Sequence, residues 1–345
     1  MKQPSHRSRR TLPSRAHPTR REAGLWLTAL GATLAGLGAP RLARAQAAMP
    51  RILVGFPAGG SVDVCARRVA EAWRGRLAET VLVDQRVGAG GRLAITALKD
   101  APADGGTLLM SPSSMFTIYP HVYRKLAYKA DSDVIPVSPV ANATCGFGVG
   151  PMVPTSVRTL ADFVAWAKSR PEQAAYASPA AGAMPHFLGD QFQRAAGIKL
   201  THVPYRGAAP GLQDLMGGQI ASGCFILGDF LPHLASGRIR ILGVTDQQRS
   251  RFVPEVPTFA EQGFPGIQGV ETYGLFLPAR TPAVVVDKVF DLARVALREK
   301  QVVEGLAKLG FEPLVMAPAD YARRLAAERA SWGPIVQASG FSSDD

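Results

Sequence analysis

Short apolar runs of strand length alternate with stretches of helical apolar spacing from residue 51 almost to the C-terminus, and this alternation constrains the fold more than any other feature. Such a rhythm is the signature of an α/β protein whose sheets are mainly parallel and flanked by helices. Strands are expected at 51–56, 81–83, 107–110, 146–149, 173–177, 220–226, 239–244 and 273–277. Helices are expected at 160–168, 185–195, 208–216, 283–299 and 319–338. After the first strand, Val62, Cys65, Ala66, Val69, Ala70, Trp73 and Leu77 recur at spacings of three and four, which gives one apolar helix face.

No Pro/Gly/Ser-rich linker, low-complexity tract or internal repeat divides the chain. Two lobes would then be joined by short crossings, expected near 140–151 and 267–273. The first lobe becomes discontinuous, 46–145 plus 271–345, with 146–270 as the second.

Residues 1–45 read differently. Seven basic residues in 1–22 face one acid, an apolar stretch runs from Ala23 to Gly38, and Ala43-Arg44-Ala45 offers small residues for cleavage. Basic, apolar, then small is an export signal, and the apolar run is too short to span a bilayer. Thr19-Arg20-Arg21 is compatible with twin-arginine export, and an ordinary basic leader fits equally. The leader carries +8 of the chain's formal +12. The remaining +4 gives no basic excess of the kind a nucleic-acid binder needs. Cys65, Cys145 and Cys224 are odd in number and widely spaced. One pair could bridge in an oxidising compartment, but buried small apolar residues are the better reading.

Phe56-Pro57-Ala58-Gly59-Gly60-Ser61-Val62-Asp63 marks a strand end, a glycine turn and a helix start. The first amides of that helix lack intrahelical partners and lie at the positive end of its dipole, where a carboxylate would be held. Ser178-Pro179-Ala180-Ala181-Gly182-Ala183-Met184-Pro185-His186 repeats this logic in the second lobe, with proline where a first turn tolerates it. Two such helix starts across a cleft would grip an anion. Gly88-Ala89-Gly90-Gly91 imitates a dinucleotide fingerprint, but it follows the second strand and lacks the downstream acid, so no cofactor is expected. His121, His186, His202 and His233 form no catalytic or metal spacing, and an enzyme is not expected.

Several stretches jointly carry a family likeness: the 56–63 turn, Gln85-Arg86-Val87-Gly88-Ala89-Gly90-Gly91, residues 98–109, His202-Val203-Pro204-Tyr205-Arg206-Gly207, residues 215–220, Pro232-His233 and Val256-Pro257-Thr258. The chain resembles the Bug (TctC-like) solute-binding receptors of tripartite tricarboxylate transporters along nearly its whole length after the leader. The resemblance implies a two-lobed periplasmic binding protein of the type II, Venus-flytrap kind, acting as a monomer without cofactor. Its partners would be a small carboxylated solute and the membrane permease subunits of such a transporter. Presentation of the ligand to a sensor kinase is the alternative, with an exported enzyme using the same cleft behind it. By the same resemblance the pocket comprises Phe56, Pro57, Ala58, Gly59, Gly60 and Ser61. Ser111, Ser113 and Ser114, then Ala180, Gly182, Ala183 and His186, and finally Tyr205 and Phe225 complete it. Phe225 aligns with a position where the family commonly carries aspartate, and Ala183 to Pro185 replace hydroxyl residues. The expectation is a less polar pocket and a ligand whose far end is apolar or aromatic.

Overall fold

The computed structural model describes residues 49–343, so the expected export signal lies outside the described residues. The first half opens with β1 (Arg51–Val54), α1 (Ser61–Ala72), β2 (Leu82–Gln85), α2 (Arg92–Lys99) and β3 (Thr107–Pro112). Two short helices, α3 (Ser114–Thr117) and α4 (Tyr119–Val122), lead to the 16-residue β4 (Val134–Val149). The middle of the chain forms α5 (Leu160–Ser169), β5 (Ala175–Ser178), α6 (Met184–Ala196), β6 (Thr201–Pro204), α7 (Ala208–Met216), β7 (Ser222–Ile226), α8 (Leu227–Leu234) and β8 (Arg240–Val244). The return strand β9 (Val270–Pro278) is followed by α9 (Ala283–Ala296), α10 (Lys300–Ala307), β10 (Glu312–Pro313) and α11 (Pro318–Ser339).

The sheet runs β2-β1-β3-β9-β4-β7-β5-β6, with β8 and β10 pairing β4 off this path. Its flanks are parallel: β1 lies parallel to β2 and β3, and β5 lies parallel to β6 and β7. The centre is antiparallel, because β9 and β4 pass between the two groups. Up to Thr144, β4 pairs with β9, and from Cys145 onward it pairs with β7 and β8. Only the last residues of β4 were legible as strand. Pro136 and Pro139 argue against a central strand, and the structure admits both beside register shifts, where a missing N–H interrupts no regular ladder. β6, α8 and α10 were likewise unread.

The expected apolar face of α1 is buried: Val62, Cys65, Ala66, Val69, Ala70 and Trp73 are at most 7% exposed. Asp63 on the same helix is buried too. Its carboxylate accepts from the Gly59 amide at 2.9 Å, from Arg67 Nε at 2.9 Å and from the Gln85 side chain. Burial alone would raise its pKa, but these bonds outweigh burial and hold it below the ordinary carboxylate range. The 57–60 turn is thereby tied to both its helix and β2. All three cysteines are buried free thiols.

Candidate functional site

A cavity opens where the loops following β1, β3, β5, β6 and β7 meet β9. The C-terminal ends of parallel strands are where α/β sheets place ligands, since helix N-termini gather there. Four helices of eight residues or more begin on its wall: α1 at Gly60 and Ser61, α6 at Ala183, α7 at Gly207 to Ala209, and α8 at Ile226. The remainder is mostly apolar, with Phe56, Pro57, Val62, Pro112, Pro179 and Ile226 prominent. Arg206, exposed at the start of α7, supplies the cavity's only arginine or lysine among the described residues.

Of the residues anticipated from sequence, Phe56, Pro57, Ala58, Gly60, Ser61, Ser114, Ala180 and Ala183 line this cavity. Gly59 faces an adjoining one, and its φ of +82° explains why glycine stands there. Tyr205 lines a second neighbouring cavity, its hydroxyl donating to Asp214 Oδ2 at 2.8 Å. The others lie behind the wall. Ser111 is buried and donates to the Pro112 carbonyl at 3.2 Å. Ser113 is buried and donates to Glu271 Oε1 at 2.7 Å. Gly182 donates its amide to His186 Nδ1 at 3.1 Å, so that nitrogen is an unprotonated acceptor. The His186 ring stacks on His202, with centroids 3.8 Å apart, and Phe341 meets it edge-on. Burial pushes His186 down to about 4 and His202, next to it, down to about 3. His186 is a packing residue. Phe225 is core as well, fully buried against Phe230 and covering Gly211 and Gly223.

The structure also corrects the expected loss of acidity. Asp229, on the first turn of α8, lines the cavity and accepts a hydrogen bond from the Ser61 hydroxyl. Burial pushes its pKa up to about 6, while the Ser61 hydroxyl and backbone pull the other way. Glu271 on β9 is a second acid on the same wall. It accepts from the Ser113 hydroxyl and from the Ser114 amide at 2.9 Å, and burial pushes it up to about 7. Phe225 therefore does not make the pocket carboxylate-free. Nor is the start of α1 open to an incoming anion, because Asp229 already sits on Ser61. Sequence reasoning missed Asp229, Glu271, Tyr273 and Arg206. Arg206 alone had a local signal, as the cation just ahead of a helix start.

Among known proteins, the family model described as tripartite tricarboxylate transporter family receptor matches residues 65–341. Protein BugT of Bordetella pertussis is 32% identical over 308 residues, covering 89% of this chain and 94% of its own. Rpa4515 of R. palustris, solved with adipate, superposes with a TM-score of 0.81 at 29% identity, covering 85% of this chain and 98% of its own. MatC from Rhodopseudomonas palustris, solved with bound malate, gives 0.77 at 28% identity over 84% and 98%.

Proposed function

This chain belongs to the tripartite tricarboxylate transporter receptor family, and from that premise we propose that its cavity captures a small carboxylated solute for delivery to the permease subunits of such a transporter. The family consists of periplasmic solute-binding receptors of two-lobed α/β fold rather than enzymes. Among the described residues no helix is long and apolar enough to cross a membrane. Neighbours solved with adipate and malate support a carboxylate as the ligand class.

The observation that carries the reading is the convergence of Arg206 with the starts of α6 and α7 on one largely apolar cavity. Unpartnered first-turn amides and a guanidinium are the donors a carboxylate needs, and each charge-assisted bond contributes about 1.5–3 kcal/mol. The carboxylate is thus assigned to Arg206, Ala208 and Ala209, not to α1. We place the lobes at 46–145 plus 271–345 and at 146–270, with Phe56 to Ser61 on one and Ala180 and Ala183 on the other. A ligand touching both favours their closed arrangement.

Mass spectrometry of small molecules retained by the purified protein should return a carboxylate, and calorimetry should show stoichiometric binding without turnover. Arg206→Ala should weaken that binding on the order of tenfold or more. Unchanged affinity would show the carboxylate is held elsewhere.

A further inference from the structure

Asp229 has no cationic partner. Its hydrogen-bond acceptor Oδ1 is met by the Ser61 hydroxyl, a neutral group, and among the described residues no lysine or arginine forms an ion pair with it. The carboxylate nonetheless stands on the wall of the ligand cavity and of the adjoining one, largely out of water. Buried carboxylates ordinarily find a counter-charge, because neutral donors replace only part of the lost hydration. Glu271 on the same wall deepens the local negative potential, and its own partners, Ser113 and Ser114, are neutral as well. Asp63, only two residues beyond Ser61, shows the contrasting case: it is buried and paired with Arg67. The counter-charge missing at Asp229 is missing in the one place where a solute would supply it.

We propose that the captured solute is an amino-carboxylate, with its ammonium docked on Asp229 and its carboxylate on Arg206 and the start of α7. This inference rests on the receptor reading above and narrows it. Arg206 precedes α7 and Asp229 lies in α8, so two consecutive helices of one lobe offer opposite charges to the same cavity. A dicarboxylate laid along that axis would bring a second negative charge against Asp229 and Glu271. A zwitterion meets complementary charge at both ends, and the apolar wall between them suits a methylene spacer.

The test compares three ligands sharing one carbon chain length as closely as chemistry permits: δ-aminovalerate, valerate and adipate. Each is titrated by calorimetry at a pH of about 8, where Asp229 is ionised. The expected result is δ-aminovalerate binding at least about tenfold tighter than either other ligand. Asp229→Asn should abolish that preference, weakening δ-aminovalerate while leaving adipate equal or improved. Adipate or valerate binding as well as or better than δ-aminovalerate to the unmodified protein would overturn the inference and leave the carboxylate receptor standing. If none of the three binds and the purified protein retains no carboxylate, both readings fall together. The ranking on the unmodified protein decides the matter even if Asp229→Asn does not fold.

Discussion

Asp229 and Glu271 lose their charge more readily in the folded chain than in the unfolded one, with pKa values near 6 and near 7. Below the unfolded carboxyl range both states hold the proton and there is no penalty. As pH rises, the unfolded chain sheds protons first, so stability is lost through the interval ending near pH 7. The stacked pair of His186 and His202 acts in the reverse sense. Their folded values near 4 and near 3 lie below that of free imidazole, so their contribution is present at neutral pH and is lost as pH falls below about 6.5. The two effects oppose each other across the acid range and should leave the native protein with a shallow stability profile. In an Asp229→Asn/Glu271→Gln variant the contribution of the histidines is no longer opposed. Its melting temperature should then fall steadily between about pH 7 and about pH 4, while the native profile stays flatter. Each kcal/mol of divergence should read as about 2–4 °C in a calorimetric or dye-based melt. Superimposable profiles would mean these acids are not perturbed as described.

At the scale of elements, α8 decides where Asp229 stands. Gly228 precedes it, and a Cβ built there would lie 1.9 Å from the Leu309 carbonyl oxygen, so α8 and the loop after α10 meet backbone to backbone. Gly228→Ala should push α8 outward at a cost of about 1–3 kcal/mol. A lowered melting temperature together with weaker ligand binding is expected. A variant that melts lower but binds normally would uncouple α8 from the site. This helix was also where reading the chain as a string reached its limit. Helix α7 was anticipated over its full length although it holds Pro210 and Gly211, because its proline falls in the first turn, where no intrahelical N–H is lost. Helix α8 begins with Gly228 nearby and contains Pro232, two residues that argue against a helix. The loops at 56–61 and 180–183 announced themselves by glycine and proline at strand ends. The partnership of Ser61 with Asp229 spans 168 positions, and no local pattern reports a contact formed only when strands from both halves align. Asp229 lies four residues beyond Phe225, at a position where no local pattern announces a cavity-lining acid.

At the scale of the molecule, β4 and β9 are the two strands that tie the sheet together: β4 runs on past the point where it changes partners, and β9 enters the sheet at that point. Closure of the proposed lobes would therefore proceed by twisting these strands, a hinge built from backbone already committed to hydrogen bonds. Small-angle scattering should show the radius of gyration decrease when a tight ligand is added, with secondary structure unchanged. An identical profile with and without saturating ligand would speak for a preformed site that does not close.

The thiols tell something about how such a chain can live. Cys65 and Cys224 are pushed up to about 12 by burial, and Cys145 is raised well beyond its ordinary range, so hardly any thiolate exists to attack or be attacked. With no bridge to form and no reactive sulfur to shield, the native state asks nothing of its surroundings in electrons. The folded chain should therefore melt at the same temperature with and without a reductant, and a shift between the two would reveal a bridge.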